Sequence, residues 1–324
     1  MLAVGLATLV PGLRSLTGRR TGGTVSSCYC YSVWLRHLCM LHEHGLPTDF
    51  ETVAELGPGD SLGAGLAALL CGAERYIALD AVRYADRATN LRVFDELVEL
   101  FRNRAPIPDQ REFPRVQPPL RSYAFPSDLL TPARLEAALS PDRVGRIRAA
   151  LAALGTDRRD GPICYHAPWT ADMIDDASVD LVFSQGVLQF VEDIPAAYAA
   201  MARWLRPDGV MSHEVTFQSI GITTEWNGHW ACSEPLWKLA VGNRRHATNR
   251  VPHSAYVSLL QDMGWRILTE VRVERSSGID RSQLACPYRH LSDRDLSTSS
   301  SLLQSMRQTA SPPQFARAAV AKAT

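Results

Sequence analysis

Short apolar runs alternate along the chain with longer segments of helical period. Over residues 29–44, Tyr31, Trp34, Leu35, Leu38 and Leu41 recur at roughly helical spacing. That spacing predicts an amphipathic helix, which Gly45 and Pro47 end. A strand is expected over 52–56, stopping at Gly57, then a helix of small residues over 61–70. A second strand over 75–79 runs to Asp80, and helical period follows over 82–102. Further strands are expected over 163–165, 179–183 and 210–215, with a helix over 194–205 that Pro207 and Gly209 stop. A helix over 255–263, closed by Gly264, leads into a final strand over 265–273. Strands alternating with helices predict an α/β fold, doubly wound around a mainly parallel sheet.

Two stretches break the alternation. Residues 105–160 are proline-rich and then helical over 132–154; residues 217–250 are rich in Trp, His, Asn and Gly. Insertions of this length commonly serve as lids or binding walls. The expected organisation is an arm and helix over 1–48, a main domain over 49–276 with these two insertions as a substrate lid, and a tail over 277–324. From Ser292 onward the tail is rich in Ser, Thr and Ala and is expected to be loosely held.

Composition narrows the class. Hydrophobic residues make up 46% and charged residues 21%, and 34 Lys+Arg balance 34 Asp+Glu. A neutral globular chain argues against a dedicated nucleic-acid binder, which carries a basic face. The 7 cysteines are odd in number and irregular in spacing, which favours reduced thiols and a cytoplasmic location over a disulfide framework. Cys28 and Cys30 lie near His37 and His42, but no second pair at ligand spacing supports a metal site. The apolar stretch 2–13 is interrupted by Pro11 and falls short of the ~20 residues of a membrane span; it reads as an arm, with no transmembrane segment.

The most informative segment is Glu55-Leu-Gly-Pro-Gly-Asp-Ser-Leu-Gly63, a strand entering a tight glycine turn and then a helix. Such a turn at the carboxyl end of a first strand is a nucleotide-type site. Gly57 and Gly59 supply the turn, and the small Ser61 permits close approach. The dinucleotide fingerprint needs glycine at its sixth position, where this chain has Leu62. Glu55, before the turn, would repel a pyrophosphate and suit a ligand bearing an ammonium group. S-adenosylmethionine has an amino group, a sulfonium and no phosphate, so charge favours it over NAD. Asp80 stands about 20 residues beyond the turn, where a ribose-binding acid is expected.

Asp180-Leu-Val-Phe-Ser-Gln-Gly-Val-Leu-Gln-Phe-Val-Glu-Asp193, and later Leu205-Arg-Pro-Asp-Gly209, complete a pattern. With the glycine turn and Asp80, these segments resemble the class I S-adenosylmethionine-dependent methyltransferases, in the family's order and over about 53–273. The resemblance implies a Rossmann-like, seven-stranded-type sheet and S-adenosyl-L-methionine as cofactor. It implies cofactor contacts from Glu55, Gly57, Gly59, Ser61, Asp80, Asp172, Ser184 and Gln185. The chain departs from the family at Ser61 and at Gln189-Phe190.

Methyl transfer needs alignment of the nucleophile, and a hydroxyl acceptor gains from a base. Candidate bases are His213, His229 and Glu225, the last two in the aromatic run Glu225-Trp-Asn-Gly-His-Trp230. Glu214 reads instead as a solvent-facing strand residue, and Asn243-Arg244-Arg245 with Asn249-Arg250 as a solvated surface run. The expected activity is methyl transfer to an oxygen or nitrogen of a small molecule or glycan. The alternatives are an NAD(P)-dependent or nucleotide-sugar enzyme, and a methyltransferase-like module that binds without turnover.

Overall fold

The computed structural model describes residues 23–154, 161–243 and 247–308. The arm read over 2–13, Arg244 and Arg245, and the chain beyond 308 lie outside them. Seven strands form one sheet in the order β3-β2-β1-β4-β5-β7-β6. β1 (Thr52–Leu56), β2 (Arg75–Leu79), β3 (Ile163–His166), β4 (Val179–Gln185) and β5 (Leu205–Thr216) pair in parallel. β7 (Thr298–Arg307) lies antiparallel between β5 and β6 (Trp265–Glu274). This is the expected doubly wound α/β sheet, with one reversed strand near an edge.

One face carries α1 (Ser27–Glu43), α2 (Gly63–Leu70) and α3 (Arg87–Arg102). Helix α2, with the sequence GAGLAALL, has no polar side to turn to water, and all of its residues are buried. It is covered by α1, whose Tyr31, Trp34, Leu35 and Leu38 are at most 1% exposed. The Tyr31–Trp34 group is therefore core. The other face packs α6 (Ile194–Trp204) and α8 (His253–Asp262) over Ala54, Val182 and Met211.

Local chemistry sets several boundaries that periodicity misplaces. Helix α3 starts at Arg87 rather than near 82, because the Asp86 carboxylate accepts from the Thr89 amide at 2.9 Å and caps it there. The helix expected over 132–154 is two, α4 (Pro132–Ala138) and α5 (Pro141–Ala152), each with proline in its first turn. The remaining helices are α7 (Glu234–Val241) and α9 (Asp293–Ser297).

The tail expectation needs correction over 298–307. The Ser-rich segment TSSSLLQSMR is not loosely held; as β7 it is buried from Thr298 through Ser305. Small hydroxyl side chains suit a strand paired on both sides, since the ladder satisfies its backbone. Ser299 further donates to the Val273 carbonyl at 2.9 Å.

Helix α1 also anchors the first insertion. Arg36, fully buried, donates to the carbonyls of Pro118 at 2.6 Å and Pro108 at 3.1 Å, and lies over the Tyr123 ring. Tyr31 Oη donates to the Ala105 carbonyl at 2.7 Å and Ser32 Oγ to the Pro108 carbonyl at 2.8 Å. The stretch after Phe101 is thereby fixed against the sheet edge on which β1, β2 and β4 end.

Candidate functional site

Gly57 and Gly59 take φ of +66° and +78°, the left-handed region that favours glycine. A Cβ on Gly57 would lie 2.6 Å from Val187 Cγ2, so the turn after β4 closes directly on the turn after β1. Each backbone donor from residue 60 to 63 already has a protein acceptor. Thr24 Oγ1 accepts from Asp60 at 2.8 Å and Ser61 at 3.2 Å. Asn90 Oδ1 accepts from Leu62 at 2.9 Å and Ser61 Oγ from Gly63 at 3.1 Å. A phosphate cradle requires such amides to be free. Here they are spent, which argues against a dinucleotide more directly than the missing sixth glycine does.

Three carboxyl groups surround the turn. Asp80 is 9% exposed; its Oδ1 accepts from the Ala81 amide at 2.8 Å, while its Oδ2 is buried with no partner. Burial raises its pKa, partly offset by the amides of Ala81, Val82 and Gly59. Asp60 Oδ2 is likewise buried and unpartnered. A ligand hydroxyl donating to Asp80 would relieve the cost of that orphaned acceptor, and a phosphate would meet only like charge. The residues present therefore fit a nucleoside without phosphate.

Glu55 has a different setting from the one its position suggested. Its side chain turns beneath α2 and accepts from Tyr76 Oη at 2.5 Å. Burial pushes its pKa up to about 8, so it is a mainly neutral carboxylic acid at pH 7 rather than a ready partner for an ammonium.

A second polar cluster lies at the carboxyl ends of β4 and β5. His37 of α1 shares hydrogen bonds with Ser212 Oγ at 2.7 Å and Gln185 Oε1 at 3.1 Å. Gln185 Nε2 donates to the Gln117 carbonyl at 3.2 Å and to Glu214 Oε2 at 3.3 Å. Glu214 is 4% exposed, not solvent-facing as its strand position suggested, and burial raises its pKa to about 8. Burial lowers that of His37 to about 4. Side chains alternate along β5, so Ser212 and Glu214 face α1 while His213 faces α6.

The remaining candidates are dispersed. His213 Nδ1 and Ser184 Oγ are 2.8 Å apart on the α6 face, both buried, with His213 Nε2 unpartnered. His229 stacks beside Trp230, with centroids 4.5 Å apart, and faces Trp237; its Nδ1 is unpartnered. Burial lowers both histidines to about 3. Glu225 and Asp172 are exposed. Arg250 is not on the surface: 4% exposed, it lies between the rings of Trp237 and Tyr288 and donates to the Cys232 carbonyl at 2.5 Å. Asn249 donates to the carbonyls of Leu188 and Val191, each at 2.9 Å. Among the described residues no group of three or more His, Cys, Asp or Glu could hold a metal, and no helix is long and apolar enough to cross a membrane.

A glycine turn, a strand-end acid with an unpartnered oxygen and bonded amides at residues 60–63 are features that fit a nucleoside ligand on an α/β sheet. Residues 147–212, from within α5 into β5, match the family model described as a methyltransferase domain; the glycine turn lies outside the matched segment. A comparison with curated proteins finds no match. Among solved structures, the chain is similar to an S-adenosylmethionine-dependent methyltransferase from Mesorhizobium loti. The identity is 15%, with 85% of this chain and 98% of that chain covered and a TM-score of 0.42. It is also similar to phosphoethanolamine N-methyltransferase 2 of Haemonchus contortus in complex with S-adenosyl-L-methionine. Here the identity is 11%, with 88% of this chain and 58% of that chain covered and a TM-score of 0.43. The match over residues 147–212 is what ties this chain to methyltransferase domains.

Proposed function

We propose that this chain is a class I S-adenosylmethionine-dependent methyltransferase that transfers the methyl group to an oxygen or nitrogen of a small molecule or glycan, and that the turn between β1 and α2 with Asp80 holds the cofactor. The observation that carries this reading is the buried, unpartnered Asp80 Oδ2 beside a turn whose amides are already bonded. When bound, S-adenosylmethionine supplies a methyl carbon activated by a sulfonium. Asp80 accepts hydrogen bonds from ribose hydroxyls. Gly57 and Gly59 keep the backbone low enough for the ligand to lie on the turn, and Val187 closes it from the β4 side.

The acceptor half is read from Glu214 and Gln185. Glu214 is a carboxyl at the end of β5 on the α1 face, and Gln185 orients it. With its pKa raised to about 8, Glu214 accepts a proton through its ionised form, a minority at pH 7 that grows as pH rises towards 8. His213 sits on the opposite face and His229 in the aromatic cluster of the second insertion, which makes Glu214 the better proton acceptor. The stretches 105–160 and 217–250 serve as walls of the acceptor pocket.

Calorimetric titration with S-adenosylhomocysteine, with NAD as control, tests the reading. Saturable binding of the first alone is expected. Binding of NAD alone, or of neither, overturns it.

A further inference from the structure

The cofactor turn does not hold itself together. Two of its amides are satisfied by Thr24, a residue before α1 and outside the sheet. Thr24 Oγ1 accepts from Asp60 and Ser61, and Ser61 Oγ in turn donates to the Thr24 carbonyl. The Cys30 thiol donates to that same carbonyl at 3.3 Å, and the neighbouring Val25 carbonyl accepts from Arg92 of α3 at 2.7 Å. A Cβ on Gly63 would lie 2.4 Å from Cys30 Sγ, so α1 presses on the start of α2 at the same place. Residues 24–30 thus form a clasp across the turn, tied to it and to α3.

We propose that Thr24 is a positioning residue for the cofactor, holding residues 60 and 61 in the conformation that presents Asp80 and the glycines to the ligand. The inference rests on the reading of the turn as the cofactor site. Without the Thr24 hydroxyl, two amides at a sharp turn lose their acceptor. A partly buried amide that loses its partner seeks water or another conformation, and the turn must then be ordered by the ligand at the expense of affinity.

The experiment is calorimetric titration of S-adenosylhomocysteine into wild-type, Thr24→Val and Thr24→Ser protein, with urea unfolding of each. Valine keeps the shape and removes the hydroxyl; serine keeps the hydroxyl. Thr24→Val is expected to weaken binding about tenfold, the scale of one or two lost hydrogen bonds, and Thr24→Ser to stay within about twofold of wild type. The urea midpoint separates the roles: weakened binding by a Thr24→Val protein that unfolds near the wild-type midpoint supports positioning. Unchanged affinity in Thr24→Val overturns this proposal and leaves the cofactor reading intact. Tighter binding also overturns it, since the hydroxyl would then occupy a ligand's place. Wild-type protein that binds no S-adenosylhomocysteine overturns both. Should Thr24→Val fold poorly, Ser61→Ala removes the reciprocal bond from the turn side. A loss of affinity there supports the clasp, and wild-type affinity counts against it.

Discussion

The two ends of the sheet edge are built differently. Around β1 and β2, the site is a glycine turn with positive φ and the strand-end acid Asp80, its amides bonded to Thr24, Asn90 and Ser61. Around β4 and β5 it is made of side chains from distant parts of the chain. His37 meets Ser212, Gln185 meets the Gln117 carbonyl, and Gln304 donates to both the His37 carbonyl and Ser212. The first arrangement tolerates little change in shape, since glycine is the only residue that fits. The second depends on polar satisfaction, where each lost partner leaves another group buried and unbonded. One half adds a steric constraint at its glycines to its hydrogen bonds, the other rests on hydrogen bonds between buried side chains, and the two should fail in different ways.

The largest expected effect breaks the first half. A Cβ on Gly65 would lie 1.9 Å from the Tyr76 ring, within the helix that follows the glycine turn. Gly65→Val should therefore destabilise the fold by about 3 kcal/mol or more through overpacking, seen as a lower urea midpoint. A midpoint unchanged from wild type would mean that α2 does not lie against β2 as described.

The next effect, about 2 kcal/mol, compares the two buried carboxyls. Glu55 and Glu214 have pKa raised to about 8 by burial. A raised folded pKa gives a contribution fully present below the unfolded carboxyl value and lost as pH rises towards 8. His37 is depressed to about 4, and His213 and His229 to about 3. Their contribution is present above about 6.5 and lost as pH falls towards those values. Stability should therefore be greatest between about pH 5 and 6.5 and decline on both sides. Glu55→Gln and Glu214→Gln should each remove about 2 kcal/mol of the decline between pH 6 and pH 8. Urea unfolding at pH 6 and pH 8 measures it. An alkaline decline equally steep in both variants would show that these carboxyls are ionised in the folded protein.

The same contrast explains what could be read from sequence. Gly57, Gly59 and Asp80 lie within one strand–helix–strand unit, so their spacing carries their arrangement, and the parallel strands of that unit appear as plain apolar runs. The cluster of His37, Gln185, Ser212 and Glu214 is assembled across 37 to 214 by the sheet order, and no local period marks it. Glu214 reads as facing solvent in the sequence, because which face of β5 is covered depends on α1 lying over it. β7 was missed for a related reason: a Ser-rich segment looks like tail until β5 and β6 are seen on either side. Arg250 looked like one of a run of surface arginines, because the rings of Trp237 and Tyr288 that enclose it are distant in sequence.

The smallest expected effect is the sharpest test of the division of labour. Asp80→Ala should weaken S-adenosylhomocysteine binding more than tenfold without unfolding the domain. It removes the acceptor that a ribose would use; loss of a buried, unpartnered oxygen offsets loss of the Ala81 amide's acceptor, so stability should change little. Glu214→Gln should change that affinity by less than about twofold, an energy below about 0.5 kcal/mol. It keeps the shape of a side chain that touches Gln185 and not the glycine turn. Titration calorimetry on the two variants in one buffer reads both. If Glu214→Gln instead weakens cofactor binding as strongly as Asp80→Ala does, the carboxyl at the end of β5 belongs to the cofactor's site. The proton acceptor for methyl transfer would then have to be sought on the α6 face, beginning with the unpartnered Nε2 of His213.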